Sequence, residues 1–319
     1  MRSRRLLSCL ILVCPTLTVA SNAQNSADVD NPQFLAPTTT IEKTVDEVNL
    51  AFTVTDKKGH FVSDLQSHDF QLLDNHLEPQ RLTYFQQRSD LPLHVAVVVD
   101  ASASVAYRFR FEQDAAVSFL KKILRSGKDQ AFVVAFNDSV STVHDVTDRT
   151  DRLSKSLRKV KPEGNTALHE AIIYASEKLH HMGENQLTRR AIVLISDGVD
   201  TVNGSTLQQA EKAAARAEVM IFALSTNYSR DDPNGTGDNV LKELASTTGG
   251  VLLEAHEESQ LSSAFRSVEK ALRNQYVVAY NPSAFQADGS YRTVEVIPRK
   301  QGLRTSCRKG YYAKVVALK

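Results

Sequence analysis

The pattern of apolar and polar residues changes twice along the chain and predicts two kinds of structure. Short segments before about residue 90 alternate apolar with polar residues, as Val48–Thr55 does, which is typical of a strand with one solvated face. Between residues 91 and 275, runs of consecutive apolar residues alternate with segments of helical period. This alternation predicts a doubly wound α/β fold, a mostly parallel sheet with helices on both faces. Alternating strands return from Tyr276 onward.

The elements of the central segment follow from these periods. Buried strands are predicted at residues 94–99, 130–136, 191–195, 219–224 and 251–253, with an edge hairpin partner at 141–146. Helices are predicted at residues 109–124, 150–160, 166–182, 206–217, 240–247 and 259–274.

Strand patterns flank the central segment on both sides. They cover residues 48–55, 70–73, 82–85, 276–280, 291–297 and 304–312. Neither group is large enough to hold a core alone, so we expect both to form one β-sandwich-like module. The predicted organisation is an N-terminal β-module (44–90), an α/β domain (91–275) and C-terminal strands (276–319) that pair with the β-module.

The first residues have the features of a secretory signal peptide at residues 1–23. A basic start and a short apolar run precede Ser21-Asn22-Ala23, a plausible cleavage site. The apolar run is too short to span a membrane. We therefore predict an exported protein, located in the periplasm, at the cell surface or in the medium, with no transmembrane segment after cleavage. Residues 24–43 are polar and predicted to form a flexible linker.

Charge and cysteine content narrow the possible partners. The 319-residue chain has a formal net charge of +1, which loss of the basic leader would make slightly negative. Such a protein has no overall attraction to nucleic acid or anionic lipid, so no nucleic-acid partner is expected. Of the three cysteines, only Cys307 lies beyond the leader, so no internal disulfide is expected. The nearby basic residues Arg304, Arg308 and Lys309 would favour the thiolate form of its side chain over the thiol. The simpler interpretation is that Cys307 is an ordinary strand residue.

The first candidate for chemistry follows the predicted strand 94–99. The sequence there is Asp100-Ala-Ser102-Ala-Ser104, which places a carboxylate and two hydroxyls on one side of a tight turn. Open α/β sheets bind ligands just beyond the carboxyl ends of their strands. Carboxylate and hydroxyl oxygens are hard donors, so the motif predicts a site for Mg²⁺ or Mn²⁺.

Two later segments bring further oxygen donors to the same edge. Gly164-Asn-Thr166 opens a predicted helix with a hydroxyl, and the predicted strand 191–195 ends in Ser196-Asp197-Gly198. The alternative is that such residues only form turns and cap helices. The predicted metal ligands are Asp100, Ser102, Ser104, Thr166 and Asp197.

In order and spacing, this set resembles the metal-ion-dependent adhesion site of the von Willebrand factor type A domain, which is also seen in the inserted domains of integrins. The resemblance implies direct metal binding by Ser102 and Ser104, and by Thr166 when a ligand is engaged. It implies that Asp100 and Asp197 act largely through water.

A wider resemblance covers most of the chain after residue 40. The segments Val54-Thr-Asp-Lys-Lys-Gly59 and Arg308-Lys-Gly-Tyr-Tyr-Ala313 look like those of a bacterial exported family related to the type A domain. One departure is Ala103, which stands where the adhesion-site motif usually has glycine. We expect the small side chain to tighten the turn without removing a ligand.

These features predict an exported, metal-dependent protein-binding module of the adhesion type, and not an enzyme. Neutral hydroxyl ligands leave the cation electron-poor, so it would capture an Asp or Glu carboxylate of a partner protein. The alternative is a structural scaffold whose metal site is non-functional or only stabilises the loops.

A metal-dependent hydrolase is the less favoured alternative. Phosphotransferases with an aspartate at this strand end need a second one where this chain has Ser102, and neither serine of the motif lies in a GxSxG elbow. The candidate bases are His94, inside a strand, and His169, on a helix, and we expect neither to be catalytic.

Overall fold

The computed structural model describes residues 47–88, 90–182, 188–227, 235–254 and 258–313. Its strands are β1 (Val48–Thr55), β2 (Phe70–Asp74), β3 (Arg81–Arg88), β4 (Leu93–Asp100), β5 (Gln130–Phe136), β6 (Val140–Thr147), β7 (Arg189–Ser196), β8 (Met220–Ser225), β9 (Leu252–Glu254), β10 (Gln275–Asn281), β11 (Tyr291–Pro298), β12 (Arg304–Cys307) and β13 (Gly310–Tyr312). Its helices are α1 (Phe109–Ile123), α2 (Thr150–Leu157), α3 (Leu168–His181), α4 (Leu207–Arg216), α5 (Thr236–Thr248) and α6 (Glu258–Arg273).

The centre of the fold is a six-stranded sheet in the order β6-β5-β4-β7-β8-β9. Neighbouring strands are parallel except β5 and β6, which are antiparallel. Helices α1, α2 and α6 pack on one face and α3, α4 and α5 on the other, so every residue of β4 is buried. The predicted doubly wound α/β fold is confirmed, including the edge position of β6.

Two antiparallel sheets, β12-β1-β10-β3 and β13-β11-β2, form the β-sandwich-like module. Strand β1 pairs with β10 and β12, and β2 pairs with β11, so strands from both sides of the α/β domain share the same sheets. One apolar core lies between the sheets, with Phe52 packed edge-on against Phe70 and stacked on Tyr276. The predicted pairing of N-terminal with C-terminal strands is confirmed.

A buried carboxylate connects the two sheets of this module. The side chain of Asp74 is inaccessible, and its Oδ2 accepts hydrogen bonds from the hydroxyls of Tyr280 and Tyr311, each at 2.8 Å. Its Oδ1 accepts a hydrogen bond from Nε of Arg292 at 2.7 Å. A buried charge is tolerated only when it is fully paired, so this network fixes how β10 packs against β2, β11 and β13.

Among the predictions of detail, the start of α5 and the state of Cys307 are wrong. Helix α5 begins at Thr236, four residues before the predicted 240–247, because its polar first turn bonds to the neighbouring loop: Asp238 accepts hydrogen bonds from Ser225 and Asn227. The thiolate expected at Cys307 is not favoured. Burial raises the pKa of this thiol and outweighs the nearby positive charge of Arg308.

The predicted leader and linker lie outside the described residues. Within the part of the chain that the structure describes, no helix is both long and apolar enough to cross a membrane.

Replacing Asp74 by asparagine is expected to destabilise the protein strongly. The variant Asp74→Asn keeps the shape of the side chain but leaves the buried Arg292 guanidinium without its counter-charge, which costs about 3–5 kcal/mol. The free energy of unfolding, measured by urea denaturation and far-UV circular dichroism, tests this. Asp151→Asn is the matched control, because Asp151 pairs with Arg149 at the exposed surface and should change stability little. Equal stability of the two variants would contradict a structural role for the network.

Candidate metal-binding site

The parallel pairing of β4 with β7 places two polar strand ends side by side. Val99 lies opposite Ile195, so Asp100 and Ser196 leave the sheet at the same edge. Oγ of Ser196 donates a hydrogen bond to Oδ2 of Asp100 at 2.7 Å, and both side chains are fully buried. This bond holds Oδ2 of the Asp100 carboxylate in place.

The loop after β4 gathers the hydroxyls of the motif. The backbone N–H of Ser102 donates to Oδ1 of Asp100 at 2.9 Å, and a 3-10 turn follows at Ala103–Val105. The turn brings the Oγ atoms of Ser102 and Ser104 to 2.9 Å from each other. Ser104 in turn donates to Oδ2 of Asp197 at 2.8 Å. The structure therefore joins these four side chains into one oxygen cluster, and their binding of a metal stays a prediction.

Thr166 lies on an adjoining loop. A backbone bond from Ala103 N–H to the carbonyl of Gly164, 3.1 Å long, holds that loop against the first one. Thr166 is buried, and its own N–H donates to Oγ1 of Thr201 at 2.9 Å. In the described parts of the chain, its hydroxyl makes no hydrogen bond to the oxygen cluster. The structure thus places the predicted fifth ligand beside the cluster but does not connect it.

Asp197 is positioned by a close approach of backbones. Gly198 has φ 81°, and a Cβ there would lie 2.2 Å from the carbonyl oxygen of Gly237 at the start of α5. A Cβ on Gly237 would lie 2.0 Å from the carbonyl oxygen of Asp197. Nδ2 of Asn227 donates to that same oxygen at 2.6 Å. The sequence pattern did not single out Gly237 and Asn227, because nothing in their local spacing indicates this contact.

The electrostatics of the oxygen cluster favour a cation. The pKa of Asp100 is raised to about 6, mainly by burial and next by the negative charge of Asp197. The hydrogen bonds from Ser102 and Ser196 lower this pKa but do not cancel the rise. Two neighbouring carboxylates and two hydroxyls are an oxygen-only donor set, which suits a hard divalent ion. No group of three or more His, Cys, Asp or Glu among the described residues could hold a metal, so a cation here would depend on the hydroxyls. The residues present fit Mg²⁺ or Mn²⁺.

A buried ion pair near the cluster was missed by the sequence analysis. Nε of Arg108 lies 3.0 Å from Oε1 of Glu112, one turn further along α1. Arg108 also donates from Nη2 to Oγ1 of Thr226 at 2.9 Å and so ties the start of α1 to the loop after β8. The pKa of Glu112 is raised to about 8, mainly by burial. The positive charge of Arg108 acts against this rise, and the negative charge of Asp100 adds to it. Both residues lie at the start of an amphipathic segment whose period gives no sign that Glu112 is buried.

The two histidines considered as bases have other surroundings. Nδ1 of His169 lies 3.1 Å from the carbonyl oxygen of Ser205 and 3.3 Å from Oδ2 of Asp200. His94 is buried in β4, and burial lowers its pKa. Within the described chain, neither ring makes a hydrogen bond to a serine hydroxyl of the cluster, so no serine–histidine pair forms there.

A sequence model of the von Willebrand factor type A domain matches residues 95–199. The match begins within β4 and ends after Gly198, and it includes all of the predicted metal ligands. The chain therefore contains a von Willebrand factor type A domain.

Several solved structures are similar in fold. One is the conserved hypothetical protein BatB from Bacteroides thetaiotaomicron, with 19% identity over 56% of this chain and 98% of that chain and a TM-score of 0.46. The vWF domain of the type V pili tip protein Mfa5 from Porphyromonas gingivalis is 13% identical in sequence, with a TM-score of 0.47. The match covers 57% of this chain and 95% of the Mfa5 chain. A von Willebrand factor type A protein from Catenulispora acidiphila is 10% identical in sequence, with a TM-score of 0.47. The match covers 78% of this chain and 74% of that protein's chain. No curated protein matches the chain.

Removal of the Ser196 hydroxyl is expected to destabilise the site. In Ser196→Ala, the buried Asp100 carboxylate loses a donor and the N–H of Gly198 loses its acceptor at 3.0 Å, a combined cost of about 1–3 kcal/mol. Urea denaturation measures the change in the free energy of unfolding. Ser118→Ala, on the exposed face of α1, removes a hydroxyl bonded only within its own helix and should have little effect. If the two variants unfold at the same urea concentration, the bond between the strand ends contributes nothing.

Proposed function

We propose that this protein is a metal-dependent protein-binding module, whose type A domain holds Mg²⁺ or Mn²⁺ at the oxygen cluster. The observation that carries the proposal is the hydrogen-bonded chain from Ser102 through Ser104 to Asp197, beside the buried carboxylate of Asp100. Turn formation alone does not require carboxylates from two separate strands to be connected through the hydrogen-bonded hydroxyls of one loop.

Each residue of the cluster has a distinct part in this proposal. Ser102 and Ser104 offer neutral oxygens, and Thr166 offers a third from the adjoining loop. Asp100 and Asp197 supply the negative charge that balances the ion. The bonds from Ser196 and from the N–H of Ser102 hold both oxygens of Asp100, so its carboxylate is oriented in advance.

The bound ion would supply a positive, electron-poor centre at the surface. Ser104 is exposed, so a carboxylate from a partner could approach it from solvent. Tyr107 is 65% exposed just after the first loop and Val199 is 40% exposed just after Asp197. Exposed apolar side chains on both loops are suited to a protein surface. We therefore infer a protein partner that presents an Asp or Glu side chain.

A stabilising scaffold is the second candidate. It is favoured by one observation: the side chains of the cluster hydrogen-bond with one another and so connect the loops directly. We propose no enzymatic activity, because no histidine of the described chain pairs with a serine of the cluster. Export is proposed from the sequence of the first residues, with the periplasm, cell surface or medium as destinations.

Titration of Mg²⁺ and Mn²⁺ into the protein tests the metal site. Saturable binding by isothermal titration calorimetry is expected for the wild type and should be lost in the double variant Asp100→Ala/Ser102→Ala. Asp151→Asn removes an exposed carboxylate from α2 and is the control, which should bind like the wild type. Binding that survives in the double variant would place the ion elsewhere. Capture of a partner with Mg²⁺ but not with chelator would then separate a binding module from a scaffold.

The affinity for the ion should depend on pH. Above a pH of about 6 the carboxyl of Asp100 is ionised in the metal-free protein, and below it a proton competes with the ion. Affinity should therefore fall as pH decreases through this value, on the order of tenfold per pH unit for one displaced proton. Calorimetric titrations at a series of pH values measure the slope. An affinity that stays constant across this range would show that Asp100 is not coupled to the ion.

A further inference from the structure

A cavity of about 100 Å³ lies at the other end of the central sheet from the oxygen cluster. It is situated between the α/β domain and the β-module, where β7 and β8 begin. We refer to it as the basal cavity; its walls include Leu50, Leu91, Thr188, Arg189, Gln275 and Arg308.

The first argument concerns the charge around Arg189. Three guanidinium groups come close together there, and Asp129 is engaged by two of them: it accepts hydrogen bonds from Nε of Arg125 and from Nη2 of Arg273, each at 2.8 Å. Arg189 is 5% exposed, and its hydrogen bond is from Nη1 to the carbonyl oxygen of Leu272. Its positive charge is buried without a carboxylate partner among the described residues.

The second argument concerns unsatisfied polar atoms. Nε and Nη2 of Arg189 are buried and have no hydrogen-bond partner among the described residues. The same holds for Oγ1 of Thr188, Oε1 of Gln275 and Nε of Arg308. All four residues line the basal cavity. Because buried polar atoms are nearly always paired, a group of such atoms around one cavity indicates a polar occupant.

The third argument is geometric. Nε and Nη2 form one edge of the planar guanidinium, and their parallel N–H groups match the two oxygens of a carboxylate. The remaining nitrogens of Arg308 are occupied, by Oε1 of Glu218 at 3.0 Å and by the carbonyl oxygen of Asn49 at 2.8 Å. The free edge of Arg189 is therefore the strongest recognition element in the cavity.

Apolar side chains make up part of the lining, among them Ala51, Leu91 and Val277. We propose that the basal cavity binds a small organic carboxylate, with its charged end on Arg189 and its short apolar body against these side chains. An inorganic oxyanion would satisfy the guanidinium but would leave the apolar wall without a partner.

The titration behaviour of the arginine agrees with this assignment. Burial, and then the positive charges of Arg273 and Arg125, lower the pKa of Arg189 to about 10. A bound anion would offset both effects, because it stabilises the charged form of the guanidinium.

Calorimetric titration of sodium butyrate into the full-length protein tests the site, with chelator present so that the oxygen cluster holds no ion. Saturable binding is expected for the wild type. The affinity for butyrate should be at least about tenfold weaker in Arg189→Lys, which keeps the positive charge but loses the pair of parallel N–H groups. The control Asp151→Asn, which changes an exposed carboxylate outside both sites, should bind butyrate like the wild type. Circular dichroism establishes that each variant is folded.

A second measurement keeps the proposal testable if Arg189→Lys does not fold. A crystal structure of the wild-type protein grown with butyrate should show the carboxylate on Nε and Nη2 of Arg189. Absence of saturable binding, unchanged affinity in a folded Arg189→Lys, or density for water alone would overturn the proposal. Inorganic phosphate that binds in place of butyrate would overturn the ligand class.

Discussion

The register of β4 on β7 is the constraint on which the rest of this structure depends. Parallel pairing brings Asp100 and Ser196 out of the sheet together, and one buried hydrogen bond joins them. A shift of one residue would turn Asp100 away from this edge, because successive side chains alternate between the two faces. Asp100 would then lose its hydrogen bond from Ser196, and the loops would not converge. The apolar residues that bury both faces of these strands leave the pairing little freedom to slip.

The β-module holds both flanking segments of the chain and is joined closely to the α/β domain. The contact is at the end of α5, where Gly249 has φ 82° and a Cβ would lie 2.5 Å from the carbonyl carbon of Cys307. The N–H of Lys309 donates to the carbonyl oxygen of Thr247, and Ser306 donates to that of Gly249. These backbone contacts leave no room for a side chain at Gly249, so the two parts meet in a defined orientation.

The two ends of the central sheet have opposite electrostatic characters. Carboxylates gather at the carboxyl ends of the strands, where the hydroxyl of Ser196 donates to Asp100 and that of Ser104 donates to Asp197. Guanidinium groups gather at the amino ends, where Arg125, Arg189 and Arg273 lie near one buried carboxylate. Each end has an excess of one sign in a place with little water, so each is suited to a small counter-ion of the other sign. The two ends of the sheet therefore favour ligands of opposite charge.

The sequence alone determined the order and type of nearly all elements, because hydrophobic period is a local property that burial on one or two faces imposes on each segment. It also predicted Asp100, Ser102, Ser104 and Asp197 as neighbours, since parallel strands end at one edge. Only the tertiary structure revealed the early start of α5, the burial of Glu112 and the free edge of Arg189. These depend on contacts between residues far apart in the chain, which leave no mark on local spacing. The thiol of Cys307 shows the same limit: its charged neighbours are visible in the sequence, but the burial that outweighs them is not.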